Sequence, residues 1–451
     1  MEDEAKRKAE KPVVDAAAAT ELAARLYGLD VVGGTIKELD SYDDRNFYFR
    51  ARVPPSDTDD AKGDDANSDG AGAFHFVLKV HNGVESLALP FIEAQNQAME
   101  RVRGAGIWSP RALPSVRGAQ IETAERALAS GELRKHAVRL LPFRPARLLG
   151  DVAPSLELLR RLGSCAAAVT AALTGFEHPA TERVFMWDLA QAADIKALLH
   201  HLPIDRRACV EGVLADFDGV VLPLAPQLRR AVIHGDLNDQ NVLVGADGVS
   251  VLGVIDFGDM MNTWLVNELA ITAAYVLIMM EYEREGAGAE VAPPPAEALA
   301  AVVGSYTQRI ALNDDEWSCA TRTPTRASSP PARHTEASLS ARPHTSPIRA
   351  AASRRSLRCR RTILPILISC RIAVSLTVGA YSSSKDPDNE YLKLTLLPGW
   401  KVGRSGCRPL TSRPRVLTSA PRAWQALKRM RAVSPAEWAS LLRAVPRESS
   451  L

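Results

Sequence analysis

The sequence lacks the features that mark several large classes of protein. Its 451 residues include only six cysteines, with no CxxC pair and no Cys/His spacing typical of zinc, so a disulfide framework is disfavoured and reduced thiols are expected. Aromatic residues make up only 6% of the chain, while hydrophobic residues make up 46%. This balance excludes wholesale disorder and a polytopic membrane protein. A chain of this length can bury a sizeable hydrophobic core.

Long uninterrupted apolar segments are also missing. The longest apolar stretch, residues 363–380, contains Pro365 and Arg371 near its middle, so we expect a buried core helix and no membrane partner. The first twelve residues mix acidic and basic side chains and have no apolar segment of the kind found in secretory signals. The expected location is therefore cytoplasmic.

An excess of charge of one sign is absent as well. The 55 basic and 53 acidic residues give a formal charge of +2, which gives no reason to expect nucleic acid as a partner. This balance conceals two Arg/Ser/Pro-rich stretches, residues 318–362 and 401–422, which contribute +9 and +6, so the remainder carries −13. Both stretches have the composition of disordered inserts. A tolerated loop, a regulatory or nucleic-acid-binding segment and retained non-coding sequence are the open interpretations.

Hydrophobic periodicity predicts an α+β chain with two lobes. An N-terminal tail (1–18) precedes a small N-lobe with an antiparallel sheet (19–141), and a larger, mainly helical C-lobe follows (142–317). The C-lobe resumes as helices over 363–400 and ends in a helical segment over 423–451. The predicted N-lobe elements are a helix over 15–29, strands over 34–39, 46–53 and 74–80, an acidic loop over 54–73, a helix over 87–103 and a strand over 137–141.

One β-rich segment interrupts the helical region. Residues 232–260 contain two β-branched runs on either side of an Asp-Gly turn, a pattern typical of a hairpin. Polar side chains cluster at the ends of these runs, in His234-Gly235-Asp236-Leu237-Asn238-Asp239-Gln240-Asn241 and in Ile255-Asp256-Phe257-Gly258. The hairpin is therefore expected to bring both clusters to one edge.

These residue types match the needs of phosphoryl transfer. A carboxylate must meet the proton of the acceptor hydroxyl, oxygen ligands must hold Mg²⁺, and a cation must orient the phosphates. Asp236, Asn241, Asp256 and the strand residue Lys79 supply these groups in that order. The alternative, in which His234 and Asp236 merely cap a turn, is disfavoured by the combination of motifs.

The His-Gly-Asp motif resembles the aminoglycoside phosphotransferase and choline kinase branch of the protein-kinase-like fold. Gly235 stands where protein kinases have arginine, and no Ala-Pro-Glu segment follows Asp256. Within this branch the chain is similar to the hydroxylysine kinases, on the segments SYDDRNF (41–47), VLKV (77–80), IEAQN (92–96), VRLL (138–141) and HGDLNDQNVL (234–243). The resemblance implies transfer of the γ-phosphate of a purine nucleotide, GTP in that family or ATP, to the hydroxyl of 5-hydroxy-L-lysine.

The resemblance also implies roles for single residues. Asp236 would be the catalytic base, with His234 and Asn241 in the same catalytic motif and Asn241 and Asp256 as metal ligands. Lys79 would contact the α- and β-phosphates with Glu93 as its ion-pair partner, although Glu100 competes for that role and Glu93 fits a solvated helix face equally well. The nucleotide site would further include Leu140 and the glycine-free loop from Ser41 to Asn46.

Acceptor recognition is the more open question. Hydroxylysine has two ammonium groups and one carboxylate, so an acidic pocket with one Arg or Lys is expected. The candidates are Asp43, Asp239, Asp259 and Glu268; each is equally well explained as a helix cap or structural carboxylate, and Glu268 better so. Trp187 and Tyr381 are interpreted as packing residues. A kinase for another amino alcohol and an inactive kinase-like binding protein are the alternatives, and oligomeric state is left open.

Overall fold

The computed structural model describes most of the chain. The described residues are 2–41, 43–52, 72–286, 292–317, 363–385, 422–434, 437, 438 and 440. Two predicted features, the basic stretch 318–362 and all but the last residue of 401–422, lie outside these residues, as does most of the acidic loop 54–73.

The N-lobe is built on an antiparallel sheet with strand order β1-β3-β4-β6-β5 and β2 paired to β3. Alternating side chains of β3 and β4 are buried against helix α2, which Asp15 caps at its N-terminus and Gly28, at φ 65°, ends. The predicted strands are present, and β1 and β5 were not predicted. The elements are α2 (Ala16–Tyr27), β1 (Asp30–Val31), β2 (Lys37–Leu39), β3 (Arg45–Arg52), β4 (Phe74–Val80), β5 (Glu122–Ala127) and β6 (Leu133–Pro142).

The N-terminal segment is ordered, contrary to the predicted tail. Residues Glu2–Ala9 form helix α1, and Val13 then donates a backbone hydrogen bond to Ala127 at the end of β5. Arg7 in α1 pairs with Asp43 at 2.6 Å and Glu85 at 2.7 Å. The prediction failed because α1 has no apolar face, and its long-range ion pairs are invisible to periodicity.

The predicted helix over 87–103 is present as α4 (Leu89–Gly104), and a short helix that was not predicted, α3 (Gly83–Leu87), precedes it. α4 packs against the C-lobe core, which lies between long helices. Gly163 in α5 faces α8 so closely that a Cβ would lie 2.3 Å from the Val302 carbonyl oxygen. The C-lobe helices are α5 (Leu156–Leu173), α6 (Ile204–Asp216), α7 (Val266–Gly286), α8 (Pro295–Thr307), α9 (Asp314–Trp317), α10 (Ile363–Lys385) and α11 (Arg422–Ala432), with 3-10 turns over Leu189–His201.

Short strands frame the predicted catalytic segment. β9 (Val242–Val244) and β10 (Val251–Val254) form the expected antiparallel hairpin, to which β7 (Arg147–Leu148) adds a third strand. A second pair that was not predicted, β8 (Arg230–Ile233) and β11 (Met261–Trp264), holds the outer ends of the segment together. Residues 234–241 and 255–260 therefore face each other.

Helix α10 is the predicted core helix. It has the length and the mean hydropathy, 2.0 over its most apolar window, of a membrane span, but 83% of that window is buried inside the protein. Its neighbours in the core are α7 and α11. The next predicted helix start, at 434–437, has the reciprocal hydrogen bonds of a capping box between Ser434 and Glu437.

Candidate active site

The loop carrying the His-Gly-Asp motif needs glycine at its centre. Gly235 has a φ of 80°, and a Cβ on it would lie 2.7 Å from the Asp259 carbonyl oxygen. Both observations exclude a larger side chain without local rearrangement. The tight approach brings the loop against residues 256–259.

Asp236 is fixed by three side chains from two distant parts of the sequence. Its Oδ2 accepts hydrogen bonds from Asn238 Nδ2 at 2.8 Å and Asn241 Nδ2 at 2.7 Å, and its Oδ1 pairs with Arg371 Nη2 at 3.0 Å. Burial raises the pKa of Asp236, the charge of Asp259 raises it further, and Arg371 opposes both. About a fifth of the side chain is still exposed, so the carboxylate is accessible to an acceptor hydroxyl.

His234 has a positioning role, which corrects its placement among the catalytic residues. The ring is fully buried, its Nε2 donates to the Ile255 carbonyl oxygen at 3.1 Å, and its Nδ1 accepts from the Asp236 backbone N–H at 3.3 Å. Burial lowers its pKa to about 4. With both nitrogens engaged by backbone groups, the neutral ring joins the two catalytic segments and does not meet substrate.

Glu268 also supports the loop and is not a substrate contact. The fully buried carboxylate accepts the backbone N–H groups of His234 at 2.6 Å and Gly235 at 3.3 Å. Burial raises its pKa to about 7. These donors precede Asp236 directly, so Glu268 fixes the start of the catalytic loop, as the structural alternative for this residue stated.

The lysine of β4 does not pair with Glu93. Lys79 Nζ lies 2.9 Å from Asp44 Oδ2 and 3.9 Å from Asp256 Oδ1, whereas Glu93 and the competing Glu100 are exposed on α4. Asp44 is held in turn by the backbone and side-chain amides of Asn82. The expectation failed because the face of α4 toward the sheet carries amides instead of a carboxylate.

Those amides, Gln95 and Asn96, bind Arg139 of β6 at 2.7 Å each. Arg139 is the strand partner of Lys79 and is fully buried. Its Nε donates to Nε2 of the buried His81, whose other nitrogen meets Glu85. A buried polar network thus joins α4 to the sheet behind the lysine.

Strand register corrects the placement of Leu140. Leu140 pairs with Leu78, and both side chains lie in the N-lobe core, on the face opposite Lys79. The half-buried Val77 and Leu141 pair with each other, and their side chains lie on the same face of the sheet as Lys79. Asn46 pairs with Lys79 and so shares that face, and its contact with the nucleotide stays a prediction.

The loop before β3 turns inward. Ser41 Oγ accepts the backbone N–H of Asp44 at 3.1 Å and so closes the turn. The phosphate contact expected of Ser41 stays a prediction. Asp43 is buried and already paired with Arg7 of α1, so its placement as a substrate residue is corrected. Sequence reasoning missed this because it gave α1 no structure.

Asp256 and Asn241 offer oxygen atoms beside Asp236. Asp256 has a φ of 63°, the one positive φ at a non-glycine among the described residues, as is common for functional residues held in strain. Asn241 Nδ2 donates to Asp236, which leaves the side-chain oxygen Oδ1 of Asn241 for a cation. An amide oxygen and a half-exposed carboxylate suit Mg²⁺.

Comparisons with known proteins agree with this site. Residues 36–299 match the model of the phosphotransferase enzyme family, APH, and this span contains the lysine strand and the whole catalytic segment. The chain belongs to this family. The family confirms the predicted phosphotransferase class, with an alcohol group as acceptor.

Among its relatives, the chain is 27% identical to the hydroxylysine kinase of Danio rerio over 413 residues, 88% of this chain and 94% of that protein. It is 30% identical to a homoserine kinase of Pseudomonas aeruginosa over 189 residues, 40% of this chain and 55% of that protein. A solved amicoumacin kinase with bound AMP-PNP and Ca²⁺ covers 87% of this phosphotransferase at a TM-score of 0.52 and 14% identity; the match covers 95% of that chain. The predicted α+β protein-kinase-like fold is confirmed.

The remaining acidic candidates of the phosphotransferase differ in position. Asp239 ties the catalytic loop to residues 149–151, since its backbone oxygen accepts the Gly150 N–H and its side chain accepts from Gln240. Asp259 is half-buried near Asp236, and burial raises its pKa against the charges of Arg183 and Arg371. Asp259 is therefore the predicted substrate carboxylate with the better position.

Sequence reasoning missed one functional cation. Arg371 was interpreted only as an interruption of an apolar helix, yet its guanidinium reaches the proposed base. Its ring neighbours are Trp187 at 5.1 Å and Tyr275 at 5.3 Å, so Trp187 packs beside the site, whereas Tyr381 packs on His201. The available signal was a lone arginine inside a 23-residue helix without any other charge before Lys385, since a buried charge needs a partner.

Proposed function

We propose that this phosphotransferase transfers the γ-phosphate of GTP or ATP to the side-chain hydroxyl of 5-hydroxy-L-lysine. The observation that carries the acceptor is the similarity to hydroxylysine kinases over 88% of the chain, which includes α10 as well as the family-wide core. The homoserine kinase similarity is restricted to 40% of the chain. Both relatives are named for an amino acid with a side-chain hydroxyl. The similarity to hydroxylysine kinase covers more of the chain and therefore favours hydroxylysine.

The chemistry assigned to the side chains follows from their contacts. Asp236 would accept the proton of the acceptor hydroxyl, because its carboxylate is accessible and its Oδ2 is held by two amides. Lys79 would hold the phosphates, since its ammonium group lies near the end of β4 between Asp44 and Asp256. Val77 and Leu141 would border the purine.

Asn241 and Asp256 would hold Mg²⁺, which supplies charge neutralisation of the phosphate oxygens when bound. Asp259 is the residue we assign to an ammonium group of the acceptor, because it adds a second negative charge close to Asp236. A second carboxylate beside the proposed base suits an acceptor that carries positive charge.

Turnover assays with defined acceptors test this proposal. Purified protein with Mg²⁺ is supplied with GTP or ATP and with 5-hydroxylysine, homoserine, choline or an aminoglycoside, and nucleoside diphosphate release is measured. We expect turnover with hydroxylysine and loss of at least 100-fold in Asp236→Asn, since general-base catalysis contributes about 100-fold or more. The exposed Asp194→Asn is the matched control. Turnover of another acceptor without hydroxylysine turnover would exclude the proposed acceptor, and full activity of Asp236→Asn would exclude the base.

A further inference from the structure

Helix α10 brings a buried arginine to the catalytic base from 135 residues further along the chain. Arg371 is 1% exposed, and its Nη2 donates both to Asp236 Oδ1 at 3.0 Å and to the Tyr275 hydroxyl at 3.3 Å. Its Nη1 donates to the Trp187 carbonyl oxygen at 3.3 Å. The guanidinium is therefore held by contacts from α7 and from the segment before the 3-10 turns.

The contacts on the Asp236 carboxylate come from opposite sides. The two amides of Asn238 and Asn241 engage Oδ2, and Arg371 engages Oδ1. Without the arginine, Oδ1 has no partner among the described residues, and the carboxylate is held at Oδ2 alone and can tilt about that oxygen. Misplacement of a reacting group by about 1 Å costs roughly 100-fold in rate.

Two roles are possible for a cation at this position. One is to bind the carboxylate of an amino acid acceptor, as the sequence-based expectation of an acidic pocket with one cation suggested. The other is to orient the base. Binding of an acceptor carboxylate requires an exposed guanidinium. Arg371 is instead buried between Trp187 and Tyr275 and already paired with Asp236.

We propose that Arg371 is a positioning residue for phosphoryl transfer, which holds the Asp236 carboxylate in the orientation that meets the acceptor hydroxyl. The inference rests on the proposed role of Asp236 as base. It also makes α10 part of the active site, although this helix lies beyond the span matched by the family model.

Steady-state kinetics separate positioning from binding. Arg371→Met keeps an unbranched apolar stem but removes the guanidinium and its hydrogen bonds. We expect kcat to fall about 100-fold, with the KM for acceptor and nucleotide within about threefold of wild type. Arg371→Lys keeps a charged donor and is expected to retain more activity than Arg371→Met. A loss confined to the KM of the acceptor would overturn the proposal in favour of carboxylate binding, and unchanged kcat would overturn it outright.

Two control variants are matched to Arg371→Met: one changes another buried residue of α10, and the other removes a different arginine that is paired with a carboxylate. Ser369→Ala removes a buried hydroxyl whose one hydrogen-bond partner among the described residues is the Pro365 carbonyl oxygen of its own helix. Arg429→Met removes an arginine paired with Glu281 near the end of α7. Both are expected to keep wild-type kcat. Tyr275→Phe removes one acceptor of Arg371 and is expected to lower kcat less than Arg371→Met. Far-UV circular dichroism and nucleotide affinity identify a variant that fails to fold.

Crystal structures of wild type and Arg371→Met give a readout that needs no turnover. We expect the Asp236 carboxylate of the variant to leave its wild-type orientation, and an unchanged carboxylate would refute the positioning role. If wild type turns over no hydroxylysine, the proposed acceptor fails, while the same comparison still tests Arg371.

Discussion

Burial of Glu268 predicts an unusual dependence of stability on pH. The carboxyl has no exposed surface, and burial raises its pKa from 4.5 to about 7. The folded state therefore holds the proton more tightly than the unfolded state. The resulting stabilisation is fully present below about pH 4.5 and is lost as the pH rises through 7, by about 3 kcal/mol in total at 1.36 kcal/mol per pKa unit.

Glu268→Gln removes this titration. The amide keeps one oxygen for the backbone N–H groups of His234 and Gly235 and loses the other, at a cost of about 1–3 kcal/mol that does not depend on pH. Relative to wild type, the variant is expected to gain about 2–3 kcal/mol between pH 5 and pH 8. It is thus less stable at pH 5, and the difference narrows or reverses at pH 8.

Equilibrium urea unfolding at several pH values, followed by tryptophan fluorescence, measures this difference. Glu297→Gln, at an exposed position in the first turn of α8, is the control and is expected to show no comparable change with pH. If the free-energy difference between Glu268→Gln and wild type is the same at pH 5 and pH 8, burial does not perturb this carboxyl and the reasoning is refuted.

Three further predictions concern the catalytic segments. Gly235→Ala forces a Cβ to within 2.7 Å of the Asp259 carbonyl oxygen at a φ of 80°, so we expect loss of kcat and a lower melting temperature, measured by kinetics and circular dichroism; unchanged activity would refute the close approach. Lys79→Met is expected to raise the nucleotide KM and lower kcat at least tenfold, a loss in line with removal of a charged hydrogen bond. Glu93→Gln is expected to leave both constants unchanged. Equal losses in the two variants would show that Glu93 is the ion-pair partner of Lys79 after all. Removal of Mg²⁺ with EDTA is expected to abolish turnover, and re-addition to restore it, while persistent activity would exclude the metal role of Asn241.

Local patterns were sufficient for the catalytic hairpin and most of the N-lobe strands. The Asp-Gly turn between β-branched runs fixes the pairing of β9 with β10, and alternating apolar residues predict β4 within its observed bounds. Both signals arise within a few residues, which is the range over which a sequence pattern is informative. Helix α1 escaped because its stability depends on Arg7 reaching Asp43, 36 residues away.

The sequence by itself determined which chemical groups are available, namely the proposed base, metal ligands and phosphate-binding lysine, because each lies in a short local motif and its type is dictated by phosphoryl transfer. Only the tertiary structure decided their partners. It gave Lys79 to Asp44 instead of Glu93, turned Leu140 into the core through strand register, and placed Arg371 on Asp236. Charged side chains in a low-dielectric interior take whichever opposite charge the fold brings within reach, and that choice is made by packing across the chain.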